Sequence, residues 1–290
     1  MARQPSINSQ FPHAGLVAFF EKAVWVDPDR AQRVADLLVD KRWPWIPWWA
    51  SYSGLHKRDD RRSVRVGGKN GSAPILEGLR SDKMGTLYMN RARGDGNFTR
   101  VALDLDPTKE QWSEPYELRV TCRSAELPPG KSFAAWIELM HELVTELGVL
   151  HAILGAWPTY DLAICDTWLM NLILDTPQGD VDLGLPAGFR KQTSLAAEWF
   201  KFIGRRYARH PRWGTYLHDG HLEAIGGLAR VKAEVEPARV DRVGELTYIQ
   251  LTESIETALT PVAGERRRRL EDLMAPILVG APVQAVDAQG

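Results

Sequence analysis

Two histidines three residues apart have the most enzyme-like spacing in this 290-residue chain. "HDGH" runs from His218 to His221, with Asp219 between them. Two imidazoles so placed can share a divalent metal, although a zinc site needs at least one further ligand. Alternating carboxylates could supply it. Asp104 and Asp106 in "DLDP", and Asp180 and Asp182 in "GDVDLG", share a face wherever their segments are strands. Together these residues define one chemistry, a metal-dependent hydrolase or nuclease using His218, His221 and an Asp pair. The plainer reading makes Asp219 a helix cap, the histidines part of a polar turn and the carboxylates solvent-facing strand ends or loops.

The remaining motifs weigh against catalysis. "GGKNG" (67–71) lacks the Walker spacing and its GK[ST] ending. The chain contains no G-x-S-x-G elbow, H-E-x-x-H pair or G-x-G-x-x-G turn. The expectation is a protein that is not an enzyme, with no catalytic residue and no cofactor.

A different chemistry is suggested by "RWPWIPWW", Arg42 to Trp49, which holds four of the chain's 11 tryptophans. Pro44 and Pro47 forbid a helix and remove ladder donors, so an edge strand or extended loop is expected. An alternating strand puts Trp43 and Trp45 on one side and leaves Trp48 and Trp49 on opposite faces. One face can be core. The other would present indole, a side chain typical of interface anchors.

The elements that must position these groups read as follows. "GLVAFFEKAVWV" (15–26) is rich in strand formers. Asp27 as N-cap and Pro28 at the first position open a helix whose Ala31, Val34, Ala35 and Leu38 share a face. "HKRDDRRSVRVGGKNGSAP" (56–74) has the composition of an exposed loop. Two β-rich runs flank Gly94-Asp95-Gly96-Asn97, predicting an antiparallel hairpin. "YELRVTCRSAEL" (116–127) is a strand with Leu118, Val120 and Cys122 on one side. Ser132 starts a helix to about Gly148, with Phe133, Trp136, Ile137, Met140, Val144 and Leu147 buried. "VLHAILGAW" and "TWLMNLILDT" could each be strand or buried helix. "SLAAEWFKFIGRRYARH" reads as a helix through Leu195, Trp199, Phe202, Ile203 and Tyr207. Asp219 starts another, interrupted at Gly226-Gly227. "ELTYIQLT" (245–252) is a strand, and "GERRRRLEDLMAPIL" (264–278) a last helix with Leu270, Leu273, Met274 and Ile277 inward. Arg266–Arg269 are expected on a solvated face, paired with Glu265 and Asp272.

This pattern predicts an α+β class: largely antiparallel sheet with amphipathic helices packed on it. Residues 1–13 are expected to be a flexible arm and 281–290 a flexible tail. Residues 14–280 form one domain, which could divide into packed halves of about 14–127 and 128–280. The balance of 36 basic and 37 acidic residues gives net charge −1 and no generic grip on nucleic acid. Cys122 and Cys165 sit in apolar runs and read as buried free thiols. The N-terminus has no apolar signal region, and no run is long enough to span a bilayer. A cytoplasmic protein without membrane or nucleic-acid contact is expected.

The last third of the chain carries a resemblance. It runs "RRYARHPRWGTYLHDGHLEAIGGLARVKAEV", then "VGELTYIQLTES", then "ERRRRLEDLMAPIL". This succession resembles the C-terminal part of bacterial immunity proteins, including the type VI immunity family and immunity families of polymorphic and Rhs toxin systems. "FFEKAVWV" with "DPDRAQRVADLL" fits the same layout more loosely. The resemblance implies an α/β or α+β protein that binds and neutralises a cognate toxin encoded beside it. It carries no catalytic residue to this chain. Aromatic anchors beside charge then become the expected contact surface: Trp45, Trp48, Trp49 and Tyr52, with His56, Asp59 and Asp60 of the adjoining loop.

Overall fold

The computed structural model describes residues 13–43, 48–54, 64–80, 84–90, 100–105, 115–127, 131–157 and 202–278. Among these residues, ten strands form one sheet. They are β1 (His13–Phe20), β2 (Trp48–Gly54), β3 (Val64–Val66), β4 (Met84–Asn90), β5 (Arg100–Asp104), β6 (Tyr116–Arg123), β7 (Val149–Trp157), β8 (Gly214–His218), β9 (Arg239–Val243) and β10 (Leu246–Gln250). Their order is β3-β2-β4-β5-β6-β1-β7-β8-β10-β9. Every neighbouring pair is antiparallel. Six α-helices accompany it among the described residues: α1 (Pro28–Leu38), α2 (Ala73–Leu79), α3 (Lys131–Glu146), α4 (Asp219–Ala224), α5 (Leu228–Val235) and α6 (Pro261–Met274). The fold is α+β.

β1 is the centre of the sheet. All eight of its residues, "HAGLVAFF", are buried. It pairs with β6 on one side and β7 on the other. Because β6 and β7 both run antiparallel to β1, they run parallel to each other, and a crossover must join them. α3 is that crossover. One sheet therefore passes through both halves of the chain.

The two faces of the sheet carry different cores. Alternate residues of the strands, such as Leu16, Phe20, Trp48, Leu118, Tyr216 and Tyr248, pack under α1, α2 and α3. Trp43, Trp48 and Trp136 lie within this core, each no more than 2% exposed. On the other face, Leu217, Ile249 and Leu251 meet Leu222, Val231, Leu270 and Met274 of α4, α5 and α6.

Local chemistry explains the elements. Asp27 accepts hydrogen bonds from the backbone of Asp29 (3.0 Å) and Arg30 (3.2 Å), and Pro28 opens α1. The buried face of α1 is Ala31, Val34, Ala35 and Leu38, as its spacing requires. β4 and β5 pair as the hairpin expected, with Asn90 opposite Arg100; the turn lies outside the described residues. Leu118, Val120 and Cys122 enter the core from β6. Cys122 is a buried free thiol whose ionisation is opposed by burial, while Cys165 lies outside the described residues. α3 buries Trp136, Ile137, Met140 and Val144, with Leu147 just beyond its end. "VLHAILGAW" is the strand β7; "TWLMNLILDT" lies outside the described residues. α6 turns Leu270, Leu273 and Met274 inward, and a short 3-10 turn adds Ile277.

Several expectations need correction. β2 is not an edge strand, because β3 pairs beyond it. Its ladder begins at Trp48 among the described residues, and Pro44 and Pro47 lie outside them. The 56–74 segment is not all loop: Val64–Val66 form β3, and α2 begins at Ala73. Phe202–Ala208 is a tight turn rather than helix. Gly204 has φ +82°, and Ile203 bridges Tyr207. Apolar spacing there reflects a buried turn. β1 ends at Phe20, and the rest of the "GLVAFFEKAVWV" run goes into a 3-10 turn at Val24–Val26. His13, the last residue assigned to the flexible arm, begins β1 and is fully buried.

Candidate functional site

A cleft of about 750 Å³ lies between α1, α3 and β9, the last strand of the sheet among the described residues. α1 and the turn after it contribute Arg33, Asp36, Asp40 and Arg42. α3 contributes His141, Glu142 and Glu146; β9 contributes Arg239, Asp241 and Arg242. Four arginines and five carboxylates thus line one cleft.

These charges are paired across elements. Arg42 grips Glu142 of α3 with two hydrogen bonds, at 2.5 and 2.8 Å, and Asp40 with two more, at 2.9 and 3.2 Å. Arg33 reaches Glu146 at 2.9 Å. Arg242 holds Asp219 at 2.5 Å, and Arg239 pairs with Asp241. The pairing shows in ionisation. Hydrogen bonds from Arg42 hold the Glu142 carboxyl below its ordinary range. Burial opposes ionisation of Asp40, but the hydrogen bonds and charge of Arg42 outweigh it and lower that carboxyl too. At the cleft floor, His141 Nδ1 meets the Tyr216 hydroxyl at 3.1 Å, and its ring packs edge-on to Tyr248. Burial, then the charge of Arg239, pushes the His141 pKa down to about 4.

Arg42 is also the first residue of the tryptophan-rich stretch. The guanidinium turns to the cleft while the next indole turns inward. Trp43 Nε1 donates to the Leu37 carbonyl at 2.8 Å, and its ring meets Trp48 edge-on at 5.3 Å between centroids. Trp48 is 0% exposed. It takes the core alternative of the two readings and presents no surface to a partner. Trp49 points to the opposite face and is half-buried, with Asn90 and Arg65 opposite it in the ladders. Tyr52 lies on β2 opposite Leu87. Trp45, His56, Asp59 and Asp60 lie outside the described residues.

The histidine motif is built differently. His218, not Asp219, caps α4: its Nδ1 accepts from the His221 backbone at 3.2 Å. Asp219 is the first helical residue, and its carboxylate is drawn away to Arg242. His218 Nε2 meets the Arg205 carbonyl at 3.1 Å, so both of its nitrogens are engaged with backbone. His221 stacks on His218 with 3.7 Å between ring centroids. His151 of β7 stands edge-on to His221. His151 Nε2 accepts from the Arg209 backbone at 2.9 Å, so Nδ1 carries the proton and donates to the Tyr216 carbonyl at 2.8 Å. Burial pushes the pKa of His151 down to about 3 and that of His221 to about 2.

The motif therefore brings two histidines together, and β7 adds a third that sequence spacing did not reveal. Asp104 is not brought to them. It lies on β5, four strands along the sheet from β8, or roughly 19 Å at ordinary strand spacing. Asp106, Asp180 and Asp182 lie outside the described residues. Among the described residues, no group of three or more His, Cys, Asp or Glu could hold a metal ion.

The arginine run on α6 is distributed as a solvated face would be. Arg268 and Arg269 pair with Glu265, and Arg266 caps the Leu251 carbonyl at 2.8 Å.

No protein-family model matches the chain, and no curated protein sequence matches it. A solved structure does match: "Pseudomonas aeruginosa T6SS protein PA0821". The chain shares that protein's fold. The TM-score is 0.60 at 13% identity, and the match covers 100% of this chain and 85% of the other. At this identity the likeness is one of fold alone. Among the described residues, no helix is long and apolar enough to cross a membrane.

Proposed function

We propose that this chain is an immunity protein that neutralises a cognate toxin in the cytoplasm by direct contact, docking it in the charged cleft beside β9. The observation that carries the reading is that cleft. Arginine is enriched at protein interfaces, and it binds carboxylates in a fixed, planar geometry. Ion pairs at a solvent-accessible surface are worth little individually, so a partner's charges can replace them cheaply. β9 lies at the end of the sheet and has β10 as its one strand neighbour among the described residues. Its outer edge can accept an added strand from a partner. The C-terminal resemblance to immunity proteins and a fold shared with a T6SS protein support the same role.

Growth rescue tests it. The adjacent open reading frame is expressed in a bacterial host with and without this protein. Killing by the neighbour alone, and survival with both, is the expected result. Killing in both cases, or in neither, overturns it. The surface is tested separately: Arg33→Glu combined with Arg242→Glu is expected to weaken the complex by more than about 100-fold. Unchanged affinity would move the interface elsewhere, and Trp49→Ala would then be the next variant.

A further inference from the structure

β9 ends the sheet among the described residues, and its pairing with β10 fixes which way its backbone faces. The two strands join through the turn at Gly244 and Glu245, with Val243 opposite Leu246. In such a hairpin the pair that closes the turn exchanges hydrogen bonds, and so does every second pair beyond it. The N–H and C=O groups of Arg239, Asp241 and Val243 therefore turn to β10. Those of Val240 and Arg242 turn outward. Among the described residues nothing bonds these outward groups, and none of residues 236–242 is buried.

The side chains alternate in the same way. Arg239 and Asp241 lie on the cleft side and pair with each other, with their side chains 51% and 36% exposed. Arg242 alternates to the other side, where it holds Asp219 at the start of α4. A charge on an edge strand ordinarily discourages pairing with a copy. β9 carries both signs, in an order that complements its own reverse.

We infer that β9 pairs antiparallel with β9 of a second copy of this chain, about a two-fold axis at Val240. The charges select this register. An axis at Arg239, Asp241 or Arg242 sets that charge against its own copy, and one at Val243 runs into the turn. An axis at Val240 sets Arg239 of each copy opposite Asp241 of the other, and Arg242 opposite Ala238. The Val240 backbones then exchange hydrogen bonds. Arg239 and Asp241 fall in a pair without hydrogen bonds, the closest kind in an antiparallel ladder, with Cα atoms about 4.5 Å apart. The four side chains form a rectangle of charges alternating in sign. The axis stands perpendicular to the sheet, so the charged clefts of the two copies open side by side on one face. This pairing does not rest on the toxin-binding reading, but it occupies the edge that a toxin strand would need, so the two compete.

Sedimentation velocity of the full-length protein over a concentration series reads the pairing. β9 is five residues long, so the interface is at the small end of specific association, and a reversible dimer is expected above about 10 μM. Arg239→Asp alone and Asp241→Arg alone each oppose like charges across the axis, and each is expected to weaken the dimer at least about tenfold. Mixed together, the two variants oppose unlike charges again and are expected to recover association as a heterodimer. Val240→Pro removes the outward N–H on the axis and no hydrogen bond to β10. It is expected to abolish the dimer, and it carries the test if the charge variants do not fold. A monomer at every concentration up to about 500 μM overturns the pairing. So does a dimer indifferent to these variants, or a mixture that does not recover. Open-ended association would come from β3, at the other end of the sheet, pairing with β9, and overturns the two-fold register. Growth rescue and sedimentation are separate readouts, so each reading can fail alone.

Discussion

The two faces of the sheet solve the same packing problem with different materials. Under α1, α2 and α3 lies a broad apolar core with four buried tryptophans, Trp43, Trp48, Trp136 and Trp213, and the charges beside it pair with one another in a cleft. Under α4, α5 and α6 the apolar cluster is smaller, and beside it two imidazoles, His151 and His221, are buried in contact, with half-buried His218 stacked on His221. The first face spends its buried volume on stability and leaves its electrostatics near the surface, where partners can compete for them. The second buries polarity. His151 and His218 are fully bonded there, whereas His221 is not. The difference teaches where a partner can compete: exchangeable ion pairs near the surface suit a macromolecule, whereas the closed-in imidazoles bear on how the fold responds to acid.

The contrast can be broken most forcefully at adjacent residues. Trp48→Ala empties the first core and is expected to cost about 3–5 kcal/mol, measured by chemical denaturation. Trp49→Ala, on the opposite face and half-buried, is expected to cost clearly less. Equal losses would mean that the faces do not differ as described.

Acid should act mainly through the second face. The pKa values of His151 and His221 are depressed in the folded state, to about 3 and about 2, against an ordinary value of about 6.5. A group whose folded pKa is depressed binds its proton in the unfolded chain first. Its contribution is therefore fully present above pH about 6.5 and is lost as pH falls below that value. Each such histidine is expected to remove about 1.4 kcal/mol per pH unit between about pH 6 and the folded pKa. His141, at about 4 on the first face, adds a third over a shorter range. His221→Phe should make the slope shallower by one proton, whereas Trp48→Ala should lower stability at every pH without changing the slope. Equilibrium unfolding at a series of pH values measures both.

The smallest effect is expected in the cleft. Arg42→Ala should cost about 1 kcal/mol in the free protein, because its partners Asp40 and Glu142 remain solvated when it is gone. A loss of several kcal/mol would make the cleft part of the scaffold rather than an exchangeable surface.

What the sequence discloses follows from how local each signal is. α1 is legible because an N-cap, a proline and a face of small apolar residues coincide within a dozen positions. The β4–β5 pairing and the inward face of α6 are legible for the same reason. β9 is not. "RVDRV" is charged at three of its five positions, as suits a strand at the end of the sheet, and that composition resembles a loop. β8 is five residues long and ends in the polar His218. The cleft is hidden for a stronger reason. Arg42, Glu142 and Asp241 are about a hundred residues apart, and only the helical crossovers over the sheet bring their elements together. The His218–His221 pair was visible as a spacing. That His151 would join it, and that the pair would stack rather than chelate, depends on β7 lying beside β8.

The central place of β1 has a consequence for how the chain is made. This strand leaves the ribosome well before both of its ladder partners, which are encoded far downstream, beginning at Tyr116 and Val149. At ordinary elongation rates β1 waits on the order of 5 to 20 seconds before β6 is complete. During that interval a strand whose every residue is destined for burial has both edges bare. Synthesis itself is then the most aggregation-prone moment in the life of this protein. Chaperone dependence in a host cell should be concentrated on the nascent chain rather than on the finished fold.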